Sequence, residues 1–260
     1  WWLDSQRDLN MELNLESKIV LVTGSSKGVG LGIARQFVKE GSKVIVNSTN
    51  KKNLDIIGNE FFDKIIGDVS KPSDCKKIFK YIKDTYKKLD ILVCNVGSGS
   101  SVPPGEENYE EWKRILDLNL LSTTNTVEFG TKLLKKTKGS IVCISSICGI
   151  EHLKAPIAYS SSKAALNSYV KNISWVLAKQ GIRINAVAPG NLIFEGSVWD
   201  HKTKDDYNAV NFMLEKEVAL GRLGKIEEIT NLVLFLSSNV SSFTTGSIFV
   251  SDGGQIKSWL

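Results

Sequence analysis

Apolar residues along this chain fall into two patterns that take turns. Short apolar runs at Ile19–Val22, 44–46, 65–66, Ile91–Cys94, 141–144 and 248–250, and the mixed stretch 182–188, read as strands. Several are continuous rather than alternating, which suits strands covered on both faces. Between them the apolar positions recur at helical spacing. Residues 31–40 read as a helix ended by Gly41, and 72–88 sets Ile78, Phe79 and Ile82 among lysines, as a helix lying on a sheet does. Residues 109–126 read as one helix, Leu166, Tyr169, Val170, Ile173 and Val176 or Leu177 mark another, and a last one passes through 232–236. Ser, Pro and Gly dominate 98–105, a loop. The chain shows no internal repeat.

Two of these elements carry chemistry. The first strand runs into Thr23-Gly24-Ser25-Ser26-Lys27-Gly28-Val29-Gly30 and then into a helix. In that context glycines let the backbone approach a pyrophosphate, and the helix N-terminus offers N–H groups and a positive dipole. The same glycines also suit a plain left-handed turn. Further on, Tyr159 and Lys163 stand four apart, on one helix face. A phenol is a poor acid near neutrality, with a pKa of about 10, but a neighbouring ammonium lowers it. Such a pair can exchange protons with an alcohol or ketone. Taken alone the spacing is an ordinary helix feature. Ser146, just beyond the run 141–144, would stand at a strand end with its hydroxyl free to hold a substrate oxygen.

Together these motifs resemble the short-chain dehydrogenase/reductase family in its classical form, from about residue 15 to 254. The resemblance implies an α/β fold: one doubly wound (Rossmann) parallel sheet of seven strands with helices on both faces. It implies hydride transfer between a nicotinamide cofactor and a carbonyl or secondary alcohol of a small molecule. Tyr159 would be the proton donor or acceptor, Ser146 would hold the oxygen, and Lys163 would lower the Tyr pKa and bind ribose hydroxyls. Ser146 rather than Ser145 stands at the family's usual interval before the Tyr. Asn119, in Asp117-Leu118-Asn119-Leu120, matches the family's active-site Asn, which organises a water linking Lys163 to solvent.

Cofactor contacts implied by the same resemblance are Gly24, Ser26, Lys27, Gly28, Val29 and Gly30 in the glycine turn, and Ser48 and Thr49 after the second strand. Asp68 and Val69 would meet adenine. Asn95 and Gly97 would line the pocket, with Cys94 standing where the family has its first Asn, and Pro189 and Gly190 would flank the nicotinamide. Tyr159 and Lys163 belong to this set too. Ser48 stands where NAD users have Asp, and Lys27 matches the basic residue of NADP users, although no Arg follows Ser48. NADP(H) is therefore favoured over NAD(H). Phe194 departs from the pattern, standing where relatives place a Thr that contacts the cofactor. Residues 191–220 correspond to the substrate lid. The family resemblance extends to 3-oxoacyl-carrier-protein reductases and to sugar or polyol dehydrogenases, without choosing between them. Relatives form homotetramers through the helices carrying Tyr159 and Asn119, where Trp175 and Phe129 would serve as interface or as core. A non-catalytic NAD(P)-binding sensor or scaffold is the alternative, and the complete set Asn119, Ser146, Tyr159 and Lys163 argues against it.

Composition narrows the rest. The length of 260 residues permits one large α/β domain or two small ones. The net charge of +5 comes from scattered lysines, so no nucleic-acid partner is indicated, while a phosphorylated cofactor suits it. Four cysteines without C-x-x-C spacing read as free thiols of a reducing, cytoplasmic setting. Two histidines make no metal constellation, and no apolar run has the length of a membrane span. Residues 1–12 read as an N-terminal extension, since 1–10 precede Met11 and lack a signal peptide's apolar core, and 13–260 as a single domain.

Overall fold

The structure, a computed structural model, describes residues 12–257, so all but the last residue of the expected extension at 1–12 lies outside the described residues. Seven strands form one parallel sheet: β1 (Ile19–Val22), β2 (Lys43–Ser48), β3 (Asp63–Ile66), β4 (Ile91–Cys94), β5 (Ser140–Ile144), β6 (Arg183–Pro189) and β7 (Ile248–Ser251). Their order across the sheet is β3-β2-β1-β4-β5-β6-β7. The chain winds outward from β1 in one direction as far as β3, then crosses back to β4 and winds the other way. The loops leaving β1 and β4 therefore part, opening a crevice at their carboxyl ends. Every residue of β1, β4 and β5 is buried, which is why these strands read as unbroken apolar runs.

Nine α-helices are described: α1 (Gly28–Lys39), α2 (Lys51–Asp55), α3 (Pro72–Tyr86), α4 (Tyr109–Leu116), α5 (Ser122–Thr137), α6 (Ile157–Ala178), α7 (Val198–Asp205), α8 (Tyr207–Glu217) and α9 (Ile226–Ser237). On one face of the sheet Ile78 and Phe79 of α3, Leu133 and Leu134 of α5 and Leu166, Val170 and Leu177 of α6 pack against Leu21, Leu92 and Ile141. On the other, Ile33 and Phe37 of α1 and Ile229, Val233 and Leu234 of α9 cover Val20, Val93 and Val142. Of the two candidates on α6, Leu177 is buried and Val176 faces solvent. A smaller cluster, Val210, Leu214, Val218 and Leu223 with Trp199 and Met213, holds α7 and α8 together.

Three boundaries differ from the sequence reading. Helix α1 begins at Gly28 rather than 31, because the last part of the glycine turn is already helical. The helix expected over 109–126 extends to Thr137 and is widened by a π-turn at Asp117–Leu121. Residues 191–220 hold two helices whose mostly polar, exposed surfaces gave little periodic signal. All four cysteines are free, with Cys75, Cys94 and Cys143 buried.

Candidate active site

The glycine turn is built by close approach of its backbone to neighbouring backbone and to the side chains of Val96 and Asn95. Gly24 and Gly28 take left-handed conformations, φ 60° and 57°. A Cβ on Gly24 would come within 2.8 Å of Val96, and one on Gly30 would collide with the Asn95 side chain and lie 2.6 Å from the Gly24 carbonyl. Asn95 makes this approach possible. Its Nδ2 donates to the carbonyls of Thr23 and Gly24, both at 3.0 Å, and its N–H donates to Thr23 Oγ1 at 3.0 Å. Asn47, which the sequence reading passed over, does the same from β2: Oδ1 accepts from Gly24 N–H at 3.3 Å, and Nδ2 donates to the carbonyls of Ile65 and Gly67. The available signal was an Asn directly after the apolar run 44–46 of the second strand.

An open cleft of about 860 Å³ brings together most of the residues expected to meet a cofactor. Gly24, Ser26, Lys27, Ser48 and Thr49 line it on the β1–β2 side, and Asp68, Val69, Asn95 and Gly97 on the β3–β4 side. The hydroxyls of Ser26 and Ser48 pair at 3.2 Å. The Asp68 carboxylate accepts from Ser70 N–H and Oγ at 3.0 and 2.7 Å. Gly28, Val29 and Gly30 form the first turn of α1, which has no acidic residue and no side-chain cap. Its unsatisfied N–H groups and positive end suit a phosphate, so the chain's own residues fit a dinucleotide. Pro189 ends β6, and Gly190 donates its N–H to Ser251 O at 3.0 Å, where a side chain would meet Asp252. The Phe194 ring lies over the glycine turn, 3.2 Å from where a Cβ of Gly28 would stand. Ser197, which caps α7, accepts through Oγ from the N–H groups of Phe194 and Asp200.

Side chains with protons to move gather at the ends of β4 and β5. Ser146 lies two residues beyond β5, its Oγ accepting from Cys148 N–H at 3.2 Å. Neighbouring Ser145 instead donates to Asn167 Oδ1 at 2.6 Å, a link between β5 and α6. Lys163 is 3% exposed and donates to Ile144 O at 2.9 Å. Burial lowers its pKa to about 8. Asn119 sits in the π-turn, fully buried, a place where such widened turns recur at functional sites. Its amide accepts from Ser98 N–H at 3.0 Å and donates to Ser98 O at 3.1 Å. Gly97 is wedged between the two, since a Cβ there would stand 2.7 Å from Asn119 Oδ1 and 3.0 Å from Lys163 Nζ.

Tyr159 corrects one expectation. Its pKa is not lowered by Lys163 but pushed up to about 12 by burial, against a smaller opposing pull from a hydrogen bond with Ser146. The reason is geometric. The Lys163 ammonium lies 5.9 Å from the ring centroid and is turned to the Ile144 carbonyl, so removal from water outweighs it. Tyr159 is held as a neutral phenol through the ordinary pH range.

A family model described as enoyl-(acyl carrier protein) reductase matches residues 24–255. The chain belongs to the classical short-chain dehydrogenase/reductase family. It is 33% identical over 248 residues to a 3-oxoacyl-[acyl-carrier-protein] reductase of Rickettsia typhi, covering 94% of this chain and 99% of that one. It is 34% identical to a tropinone reductase homolog of Arabidopsis thaliana, covering 93% of each. Among solved short-chain dehydrogenase/reductase structures, L-sorbose reductase of Gluconobacter frateurii, complexed with NADPH and L-sorbose, superposes with a TM-score of 0.89 at 25% identity over 96% of this chain and all of that one. Ligand-free aldohexose dehydrogenase of Thermoplasma acidophilum gives 0.81 at 32% identity, over 93% and 94%. As a member of this family the protein is an NAD(P)-dependent oxidoreductase acting on C=O and CH–OH groups of a small-molecule substrate. Among the described residues no helix is long and apolar enough to cross a membrane, and no three His, Cys, Asp or Glu side chains gather to hold a metal ion.

Proposed function

We propose that this enzyme reduces a carbonyl with NADPH, and that Asn119, Ser146, Tyr159 and Lys163 carry the reaction. The observation behind this reading is the meeting of a neutral, half-buried phenol, a hydroxyl and a buried amine beside a phosphate-ready cleft. When bound, the nicotinamide supplies the hydride to the carbonyl carbon. Ser146 holds the carbonyl oxygen through its hydroxyl, and Tyr159 delivers a proton to that oxygen as charge develops on it. A phenol kept protonated is suited to giving a proton, which favours the reductive direction. Lys163, with a pKa of about 8, is mostly charged near neutrality and donates toward ribose hydroxyls and the tyrosinate left behind. Asn119 holds the Ser98 backbone and, through it, Gly97 against Lys163, and supports the proton path from Lys163 to solvent.

The preference for NADPH rests on Ser48 and its hydroxyl partner Ser26 standing where a carboxylate would repel a 2′-phosphate, with exposed Lys27 beside them. The structural relative solved with NADPH points the same way. The substrate class supported best is a 3-oxoacyl thioester, the substrate class named for the Rickettsia relative, with Trp199, Met213 and exposed Phe212 supplying apolar surface in the lid at 191–220. Sugar substrates are the second reading, favoured by the sorbose and aldohexose enzymes. Residues 13–260 work as a single domain in the cytoplasm, as a homotetramer in which exposed Trp175 of α6 belongs to an interface, whereas Phe129 packs toward the core. Fluorescence titration with NADPH and NADH, followed by turnover on acyl thioesters, diketones and, with oxidised cofactor, aldoses, tests the whole reading. Tight NADPH binding with thioester turnover supports it, and binding without turnover on any class favours the sensor alternative. Sedimentation of a monomer at micromolar concentration would remove the tetramer.

A further inference from the structure

The loop 98–107 joins β4 to α4 and runs along the Tyr159 side of the cleft, fastened along its length. At its start Ser98 exchanges two hydrogen bonds with Asn119. Gly99 then lies against Tyr159, where a Cβ would stand 3.7 Å from ring atoms Cε1 and Cζ. Arg114 donates to Ser100 O at 3.0 Å, and Ser101 Oγ donates to Glu111 Oε1 at 2.6 Å. At the far end Glu107 reaches the first turn of α6. Its Oε1 accepts from Ile157 N–H at 2.7 Å and Ala158 N–H at 3.4 Å, while Oε2 accepts from Gly105 N–H at 2.8 Å.

Helix α6 has no cap of its own. Its N-cap is Pro156, whose side chain cannot accept a hydrogen bond, and its first turn holds no acidic residue. Helices α4, α7 and α8 are each capped by the residue just before them, Asn108, Ser197 and Asp206. A long helix leaves four N–H groups without partners and a positive end. In α6 a carboxylate from a segment distant in sequence serves both, and it does so immediately ahead of Tyr159. We infer that Glu107 is a positioning residue for the reaction: it clamps the loop 98–107 onto the start of α6 and so fixes the Tyr159 ring relative to Ser146 and Lys163. This deepens the reading of Tyr159 as proton donor and rests on it.

The test compares Glu107→Ala, Glu107→Gln and Glu107→Asp in the full chain. Gln keeps an oxygen able to accept from Ile157, whereas Asp keeps the charge but is one methylene short. Glu107→Ala should lower kcat for carbonyl reduction by about tenfold to a hundredfold, as small misplacements of reacting groups do. NADPH affinity by fluorescence should stay within about twofold, because the clamp touches none of the phosphate-binding turn. Amide exchange at 157–160 should speed up. Glu107→Gln should recover part of the lost kcat and Glu107→Asp less, since Gln keeps the oxygen that accepts from Ile157 N–H but gives up the charge and turns an amide NH2 toward the Gly105 N–H, whereas Asp is too short to reach α6. If the Ala variant does not fold, the Gln and Asp pair carries the same contrast. A Glu107→Ala enzyme with unchanged kcat, or variants in which kcat and NADPH affinity decline together with Gln no better than Ala, overturns the inference. Activity retained by Tyr159→Phe would overturn the underlying reading of Tyr159. Unchanged exchange at 157–160 in Glu107→Ala would overturn the clamp itself.

Discussion

The two ends of the cleft are made of different material. At the glycine turn the backbone is pressed against neighbouring backbone and the side chains of Val96 and Asn95, braced by the neutral amides of Asn47 and Asn95, and no space remains for an added carbon at Gly24 or Gly30. At the Tyr159 end the contacts are side chains that carry protons, Lys163 nearly without exposure and Tyr159 pushed away from its ordinary pKa. The first end is specified by shape, the second by the identity of single heteroatoms. Damage to them should therefore look different: bulk should hurt binding at one end, and deletion of an atom should hurt turnover at the other.

The sharpest way to break this contrast is Tyr159→Phe, which removes one oxygen and keeps the ring. Carbonyl reduction should fall by about a thousandfold, within the range that general acid catalysis contributes, with NADPH binding preserved in a fluorescence titration. Gly30→Ala makes the opposite intervention. One added methyl should weaken NADPH binding by about a hundredfold and lower folding stability by about 1–3 kcal/mol through overpacking, measured by titration and denaturant unfolding. If Gly30→Ala bound cofactor normally, the shape argument would be lost. Ser48→Asp should move the NADPH-to-NADH preference about tenfold or more toward NADH, because a carboxylate there repels a 2′-phosphate and accepts from ribose hydroxyls; the ratio of kcat/KM values reads it directly.

A pH dependence of stability separates the two ends by a different readout. Lys163 titrates near 8 when folded and about 10.5 when unfolded. Between those values the unfolded chain binds more protons, so this group makes stability rise with pH from about 8 to 10.5. Tyr159 acts in the other sense. Its folded pKa of about 12 lies above the unfolded value near 10, so the folded chain holds more protons and stability falls as pH rises from 10 toward 12. Lys163→Met should abolish the rising limb and leave the falling one, as seen in denaturant midpoints across pH 7–11.

Legibility in the sequence followed burial. Strands covered on both faces announce themselves as apolar runs, so β1, β4 and β5 were read within a residue of their limits. Helices α7 and α8 were not, because neither buries a wide apolar stripe. The π-turn at Asp117–Leu121 hid inside a plausible helix, since one extra residue in a turn shifts the phase without removing the pattern. For the site, spacing placed Tyr159 beside Lys163 but said nothing of the distance between their charged ends or of their removal from water, which together set the direction of the tyrosine's shift. Glu107 escaped notice because its partners at 157 and 158 are backbone N–H groups that no residue type betrays.

The buried thiols supply a clock. Cys94 and Cys143 face each other on β4 and β5, both at most 2% exposed, and burial raises the pKa of Cys75 to about 11. A thiol sealed from solvent meets an alkylating reagent only when the structure around it opens, α3 for Cys75 and the centre of the sheet for Cys94 and Cys143. Cys148, partly exposed, should label at once. The three that follow it would count, one molecule at a time, how often α3 lifts away and how often the centre of the sheet comes apart.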